Sequence, residues 1–412
     1  MNFRTIAEKL FLLMGVPVLF AQNLPSLIHD KDLNTTFAIV AYDAEQEEYG
    51  VAVATNNIYV GSSTVYIEPG LGAFAVIAET EPRYAKMGFE QLAQGAQIEN
   101  AVSAYRSKDP QAHLRQVAGL DAQGNTYAFT GSGLRFWKGM ASFIEGPGFV
   151  VLGNQLAPRV LERMADAFTN GSGALAQRLM TALLAGQEAG GQLTGKRSAA
   201  LQVKGEHHEW YNQIDLRVDN AEAPIQDLQR LLGYHYGRIR VNQALYAQRS
   251  GNEERAKRKL AEAEILLEGW DGMYARLARA HLALGHPENA VAWIQRGLEE
   301  NPAWTEYLPS FYLLREHPSL RTLIKPDTFT PKDWEAAFQF LSLFGRENEI
   351  IAKGEQLLSE PAMDTSNMNF IVGRSYYYEK ENEKAVAFLE KALSLDEGHS
   401  EAIRLLQKIK SK

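Results

Sequence analysis

Apolar positions along this chain follow two different rhythms. From Thr36 to about Val218 they come in short stretches separated by turn residues. Phe37–Tyr42, Tyr49–Ala54, Thr64–Ile67, Ala73–Ala78, Gln116–Leu120, Thr126–Thr130, Phe149–Leu152, Ala199–Val203 and Gln213–Val218 each have the length and content of a strand. Turn signals such as Asp121-Ala-Gln-Gly124 and Lys204-Gly205 make the links short, which implies antiparallel pairing. Two segments break the pattern. Tyr84–Tyr105, with Leu92, Ala93, Ala96, Ala101 and Val102, has helical spacing, and so does Pro158–Ala185, with Val160, Leu161, Met164, Ala165 and Phe168. Strands with small apolar residues on both faces need cover on both faces. The expected solution is an α+β four-layer αββα sandwich, two stacked sheets with helices outside.

After about Gly237 the strand rhythm stops and a helical one with a period of roughly 34 residues begins. Tyr274, Leu277, Ala278, His281, Gly285, Ala290, Ile294, Gly297 and Pro302 fall in order on the tetratricopeptide pattern. Ala244, Gly251, Ala256, Leu260 and Ala263 sit at similar offsets before them, and Gly373, Tyr376, Ala385, Leu389 and Ala392 near the C-terminus. Trp334 and Gly345 mark a more degenerate copy. Residues 237–412 therefore resemble an all-α array of tetratricopeptide repeats, a fold whose concave face commonly takes a peptide or a partner helix. Four prolines break the period over 307–332, which reads as a capping or docking element splitting the array.

The N-terminus adds an address. Arg4 and Lys9 precede an apolar run from Leu10 to Ala21 that is too short to span a bilayer, so residues 1–21 read as a signal peptide and 22–35 as a leader or linker. The expectation is export to the periplasm or the extracellular space, with no membrane span once the signal is removed. The 412 residues contain no cysteine, which excludes thiol catalysis and thiolate metal sites. A net charge of -8 without a basic run argues against nucleic acid as a partner.

One ordered set of short motifs carries more. Thr36-Phe-Ala-Ile-Val-Ala-Tyr-Asp43, Gly50-Val-Ala-Val-Ala-Thr55, Gly70-Leu-Gly-Ala73 and Pro82-Arg-Tyr84 are followed by Asp121-Ala-Gln-Gly124, Phe129-Thr-Gly131, Gly153-Asn154, Gly186-Gln-Glu-Ala-Gly-Gly191, Ser198-Ala-Ala200 and Asp215-Leu-Arg-Val-Asp219. Together, over residues 36–236, they resemble a bacterial family of unknown function whose fold places it with the N-terminal-nucleophile (Ntn) hydrolases. That resemblance implies amide hydrolysis by a residue made N-terminal through processing. A threonine hydroxyl is a poor nucleophile, but its own free α-amine, with a pKa of about 8, can act as its base.

Thr36 is then the candidate nucleophile, with Thr35 as the neighbouring alternative, and a cut beyond the signal is required. The competing reading is that Thr36 only opens a strand. Thr55 joins Thr36 as a catalytic candidate, and Asn154 could donate to an oxyanion. Asn57, Glu79 and Arg83 are candidates for substrate binding. The chain departs from the pattern in three places: no lysine lies between Lys31 and Lys86, Val76-Ile77 replaces a polar pair, and Glu81 stands before the proline. Glu206-His-His-Glu209 has metal-ligand residue types at adjacent positions that face opposite ways in a strand, so it reads as a hairpin tip. Neither a metal nor a cofactor is expected. Two functions follow: a secreted hydrolase of a small amide or peptide, or a non-catalytic binding and scaffold protein that works through its repeats.

Overall fold

The structure is a computed structural model that describes residues 35–209 and 212–411. The signal peptide and all of the leader except Thr35 lie outside the described residues. The chain divides into two compact units between Leu232 and Gly233.

The first unit holds two antiparallel sheets. One has six strands in the order β10-β9-β2-β1-β8-β7, and the other four in the order β3-β4-β5-β6. The strands are β1 Thr36–Asp43, β2 Glu48–Thr55, β3 Val65–Glu68, β4 Gly72–Ala78, β5 Arg115–Asp121, β6 Thr126–Thr130, β7 Met140–Gly146, β8 Phe149–Leu156, β9 Ser198–Gly205 and β10 Ile214–Val218. Helices α1 Arg83–Ala93 and α2 Ile98–Arg106 lie on the smaller sheet, and α3 Val160–Thr169 and α4 Leu175–Glu188 on the larger.

Alternation within the apolar runs explains this placement. Ala38 and Val40 of β1, Val51 and Val53 of β2, Ala73, Ala75 and Ile77 of β4, and Ala118 and Leu120 of β5 share one buried cluster between the sheets. The intervening Phe74, Val76 and Val117 join a second cluster with Tyr84 of α1 and Ala101, Val102 and Tyr105 of α2. Strands covered on both faces read as continuous apolar runs rather than alternating ones. Val76 and Ile77 are therefore core residues of two different layers, and their lack of polarity says nothing about a cleft.

Two glycines allow the close approaches. A Cβ on Gly50 of β2 would come within 2.4 Å of Leu179 of α4, so the helix sits on bare backbone there. Gly72 opens β4 at φ +152, and a Cβ would lie 2.1 Å from the Leu120 carbonyl oxygen. Each segment predicted as one helix is two. The first is interrupted at Gly95, in the left-handed region at φ 82, and the second before Gly173, at φ 96. Strand β7 was not foreseen, because its Met140-Ala-Ser-Phe-Ile-Glu-Gly146 sequence is only half-buried at the sheet edge.

The second unit is entirely helical. Helix α5, Pro224–Arg249, crosses the boundary and is followed by α6 Glu253–Leu266, α7 Tyr274–Ala283, α8 Pro287–Glu300, α9 Pro331–Leu343, α10 Glu347–Leu358, α11 Ser366–Tyr378, α12 Asn382–Leu395 and α13 Ser400–Lys410. Capping sets several starts: Asn252 accepts from the Arg255 N–H, and Thr330 and Asp333 form a capping box at α9. Gly297 in α8 faces Trp304, which a Cβ would approach to 2.5 Å. A 3₁₀ segment, Pro302–Leu314, leads into the proline-broken stretch, and its Trp304, Leu308 and Phe311 are buried. They belong to a single apolar cluster running from Val241 to Ala402. Leu308, Phe311 and Leu320 of the predicted interruption are thus core residues of the helical unit.

Candidate active site

Sheet register assembles the site. Thr36, the first residue of β1, pairs with Thr55 at the end of β2 and with Asn154 on β8. Thr55 in turn pairs with Ser198 of β9. One row across four strands thus carries four polar side chains, and all four are buried.

The hydrogen bonds in this row have a definite direction. Thr55 Oγ1 lies 2.9 Å from the Thr35 carbonyl oxygen, which can only accept, so Thr55 donates. Its one proton is then used, and across the 3.0 Å contact with Thr36 Oγ1 the Thr36 hydroxyl must be the donor. The Thr36 N–H donates to Asn154 Oδ1 at 3.2 Å. Asn154 is oriented from behind, its Nδ2 donating to Gln116 Oε1 at 3.2 Å. Gln116 belongs to the other sheet, and the two N–H groups of its own amide are shared among three acceptors, Thr130 Oγ1 and the Ser142 and Gly153 carbonyls, each 2.9 Å from Nε2. A polar strut therefore joins the two sheets behind Thr36.

The Thr35–Thr36 peptide is the focus of the arrangement. Thr35 is fully buried. Besides Thr55, its carbonyl oxygen accepts from the Asn56 backbone N–H at 3.1 Å and from Gln192 Nε2. Gln192 Nε2 also reaches Thr35 Oγ1 at 3.0 Å, and that hydroxyl contacts Thr194 Oγ1 at 3.0 Å. Three donors on one carbonyl oxygen exceed its two lone pairs and match the demand of a tetrahedral oxyanion.

In front of Thr36 and Thr55 lies a cavity of about 240 Å³, also lined by Asn57, Ser63, Thr64 and Glu79. Glu79 is buried, not solvated as a helix-start carboxylate would be. Its backbone carbonyl accepts from Arg115 Nη1 at 2.6 Å, and Arg115 is paired with Asp109 at 2.9 Å. Burial pushes the Asp109 carboxyl up, but hydrogen bonds from Arg115, the Gln111 N–H and Tyr84 outweigh it and hold the group below its ordinary value. Ala78, just before Glu79, and Gln155, just after Asn154, both sit at positive φ, 68 and 52. Non-glycine residues in that region carry backbone strain, here flanking two site residues.

The structure thus brings Thr36, Thr55, Asn57 and Glu79 to one cavity and places Asn154 behind them. Asn154 is fully buried, and both of its side-chain groups have partners on the strands, so the geometry makes it an orienting group for the Thr36 nitrogen. Arg83 does not join the site. It is exposed and paired with Glu81 at 2.6 Å, a contact that also accounts for the unusual Glu81 before the proline. His207 and His208 turn to separate carboxylates, Glu47 and Glu48, each at 3.2 Å. Sequence reading missed Gln192 and Gln116. Only the Gly-Gly-Gln run ending at Gln192 hinted at the first, and nothing local signals the second.

Residues 36–228 match the protein-family model described as a family of unknown function, DUF1028. Among solved structures, protein SPO2555 from Silicibacter pomeroyi, of the same family, is 30% identical, covering 48% of this chain and 84% of its own, with a TM-score of 0.44. The chain belongs to the DUF1028 family. Its family segment is followed by two matches to the tetratricopeptide repeat, at residues 272–303 and 366–399. Residues 304–365 separate the two matches. No curated protein matches the chain.

Proposed function

We propose that the head is an αββα sandwich of the Ntn-hydrolase type, exported, in which Thr36 becomes the N-terminal nucleophile by cutting its own Thr35–Thr36 bond. The observation that carries this reading is the Thr35 carbonyl, buried and held by Thr55, the Asn56 N–H and Gln192 beside the Thr36 hydroxyl. Thr36 Oγ1 attacks the Thr35 carbonyl carbon, and the three donors take the charge that develops on the oxygen. The C–N bond then breaks, the Thr36 nitrogen takes the proton lost by the hydroxyl, and Thr35 is left as an ester on Thr36 Oγ1. Water hydrolyses that ester, giving a Thr35 carboxylate and a free Thr36 α-amine.

The new amine supplies the missing base. With a pKa of about 8 roughly a tenth of it is neutral at pH 7 and able to accept a proton, a fraction that rises with pH, and Asn154 Oδ1 fixes its orientation. The lysine absent from Lys31 to Lys86 is then dispensable for proton transfer. The vacated Thr35 carbonyl position, with its donors intact, becomes the oxyanion site for an external amide. A cavity of about 240 Å³ suits a group the size of one amino acid, and the Glu79 carboxylate suits a substrate amine.

Intact-mass and N-terminal peptide analysis of the purified chain tests this. A product beginning at Thr36, absent from Thr36→Ala, is the expected result. A homogeneous chain that still carries Thr35 after prolonged incubation refutes the nucleophile assignment.

A further inference from the structure

We infer that the helical unit binds an extended acidic peptide, with carboxylates seated between Arg279 and Arg374. The two arginines line one cavity of about 570 Å³, formed by α7, α9, α10, α11 and the 3₁₀ segment. Neither forms an ion pair among the described residues. Arg279 reaches only Ser310 Oγ, at 3.3 Å, and its guanidinium lies 5.6 Å from the Phe340 ring. Arg374 stands 5.6 Å from the Phe370 ring. Each arginine buries an Nε–H that finds no acceptor among the described residues. Burial, with the Arg276 charge adding to it, pushes the Arg279 guanidinium down from its ordinary value.

The one carboxylate in the cavity is already engaged. Glu347 accepts from Ser342 Oγ and Ser375 Oγ, both at 2.6 Å, one on each oxygen. It forms no ion pair with either arginine among the described residues. Four other arginines of the unit, Arg240, Arg296, Arg315 and Arg346, are paired with carboxylates. Half-buried guanidiniums without counter-charges carry a desolvation cost that an incoming carboxylate relieves through charge-assisted, bidentate hydrogen bonds.

A second cavity of about 270 Å³ continues the first, sharing Arg374 and Tyr378. It adds Arg404 and Lys408, which have no ion-pair partner among the described residues, against one further carboxylate, Glu401. Leu343 and Tyr378 are exposed at 68% and 54%, so apolar surface lies between the cations beside the polar Gln339 and Ser342. Cations spaced along a groove with apolar patches fit a peptide alternating acidic and apolar side chains, and they fit a uniformly charged phosphate backbone poorly.

The test is fluorescence anisotropy with the full chain and a labelled synthetic peptide of alternating Asp and Leu. Its counterpart has Asn at every Asp. The acidic peptide should bind, and the Asn peptide should bind at least about tenfold more weakly. The paired substitution Arg279→Gln with Arg374→Gln should also cost about tenfold or more, whereas Lys257→Gln, at an exposed surface ion pair, should change nothing. Millimolar inorganic phosphate should leave the peptide bound. Equal binding of the two peptides, or no binding of the acidic one, overturns the inference, even if the arginine variant fails to fold. So does full binding by a folded arginine variant, or displacement of the peptide by phosphate or a single-stranded oligonucleotide.

Discussion

Replacing Gln192 by Met isolates one part of the proposed self-cleavage. Methionine has nearly the same length and no donor, so the substitution removes the Nε2–H from the Thr35 carbonyl and leaves Thr36 untouched. Thr55 Oγ1 at 2.9 Å and the Asn56 N–H at 3.1 Å remain. Loss of one preorganised donor from an oxyanion site typically costs about 10²–10³ in rate, or ~3 kcal/mol of barrier. Because two donors survive, the product should still form, only slowly, in contrast to Thr36→Ala, which should form none. The assay follows the ratio of uncut to cut chain by intact-mass spectrometry after rapid purification or refolding. Near-ultraviolet circular dichroism confirms that the new side chain has not disturbed the sheets. A folded Gln192→Met variant that cuts at the wild-type rate would remove the oxyanion role from Gln192, and with it the main support for the Thr35–Thr36 bond as the target.

Other outcomes follow from the same geometry. Asp109→Asn leaves Arg115 buried without its counter-charge and should cost about 3–5 kcal/mol in denaturant unfolding; a loss below about 1 kcal/mol would contradict the pairing. Because the folded Asp109 carboxyl titrates below its ordinary 3.8, its contribution to stability is complete above that pH and is lost as pH falls through the lower folded value. Acid unfolding of wild type should thus show a dependence below about pH 4 that Asp109→Asn lacks. Gly72→Ala forces a methyl onto the Leu120 carbonyl oxygen and should lower the melting temperature of the head by several degrees, roughly 2–4 °C per kcal/mol lost. Trp304→Ala empties a buried site in the helical core and should cost about 3–5 kcal/mol; a smaller effect would show that the 3₁₀ segment is peripheral.

The periodic parts of this molecule were legible because their physics is local. Strand runs such as Phe37–Tyr42 and the recurring small residues at Ala290, Gly297, Ala385 and Ala392 announce their layers directly. The site was legible in part. Thr36 and Thr55 stand at strand ends and Asn154 near one, where register alone brings them into one row. Gln192 and Gln116 were invisible because their roles depend on partners 157 and 26 to 38 positions away. Arg83 was drawn in by its nearness in sequence to Glu79, yet its guanidinium turns back to Glu81. Over 307–332 proline signals a broken period, but it does not reveal whether Leu308 and Phe311 beside it face water or core.

Strand β1 has a mechanical consequence. It lies inside its sheet, in register with β2 along Glu48–Thr55 on one edge and with β8 along Phe149–Asn154 on the other. A pull on whatever precedes Thr36 therefore loads both ladders in shear, and their hydrogen bonds must yield together rather than peel one at a time. An uncut chain tethered by its N-terminus would be held through both ladders. The same chain cut before Thr36 would be let go without any strand having to move.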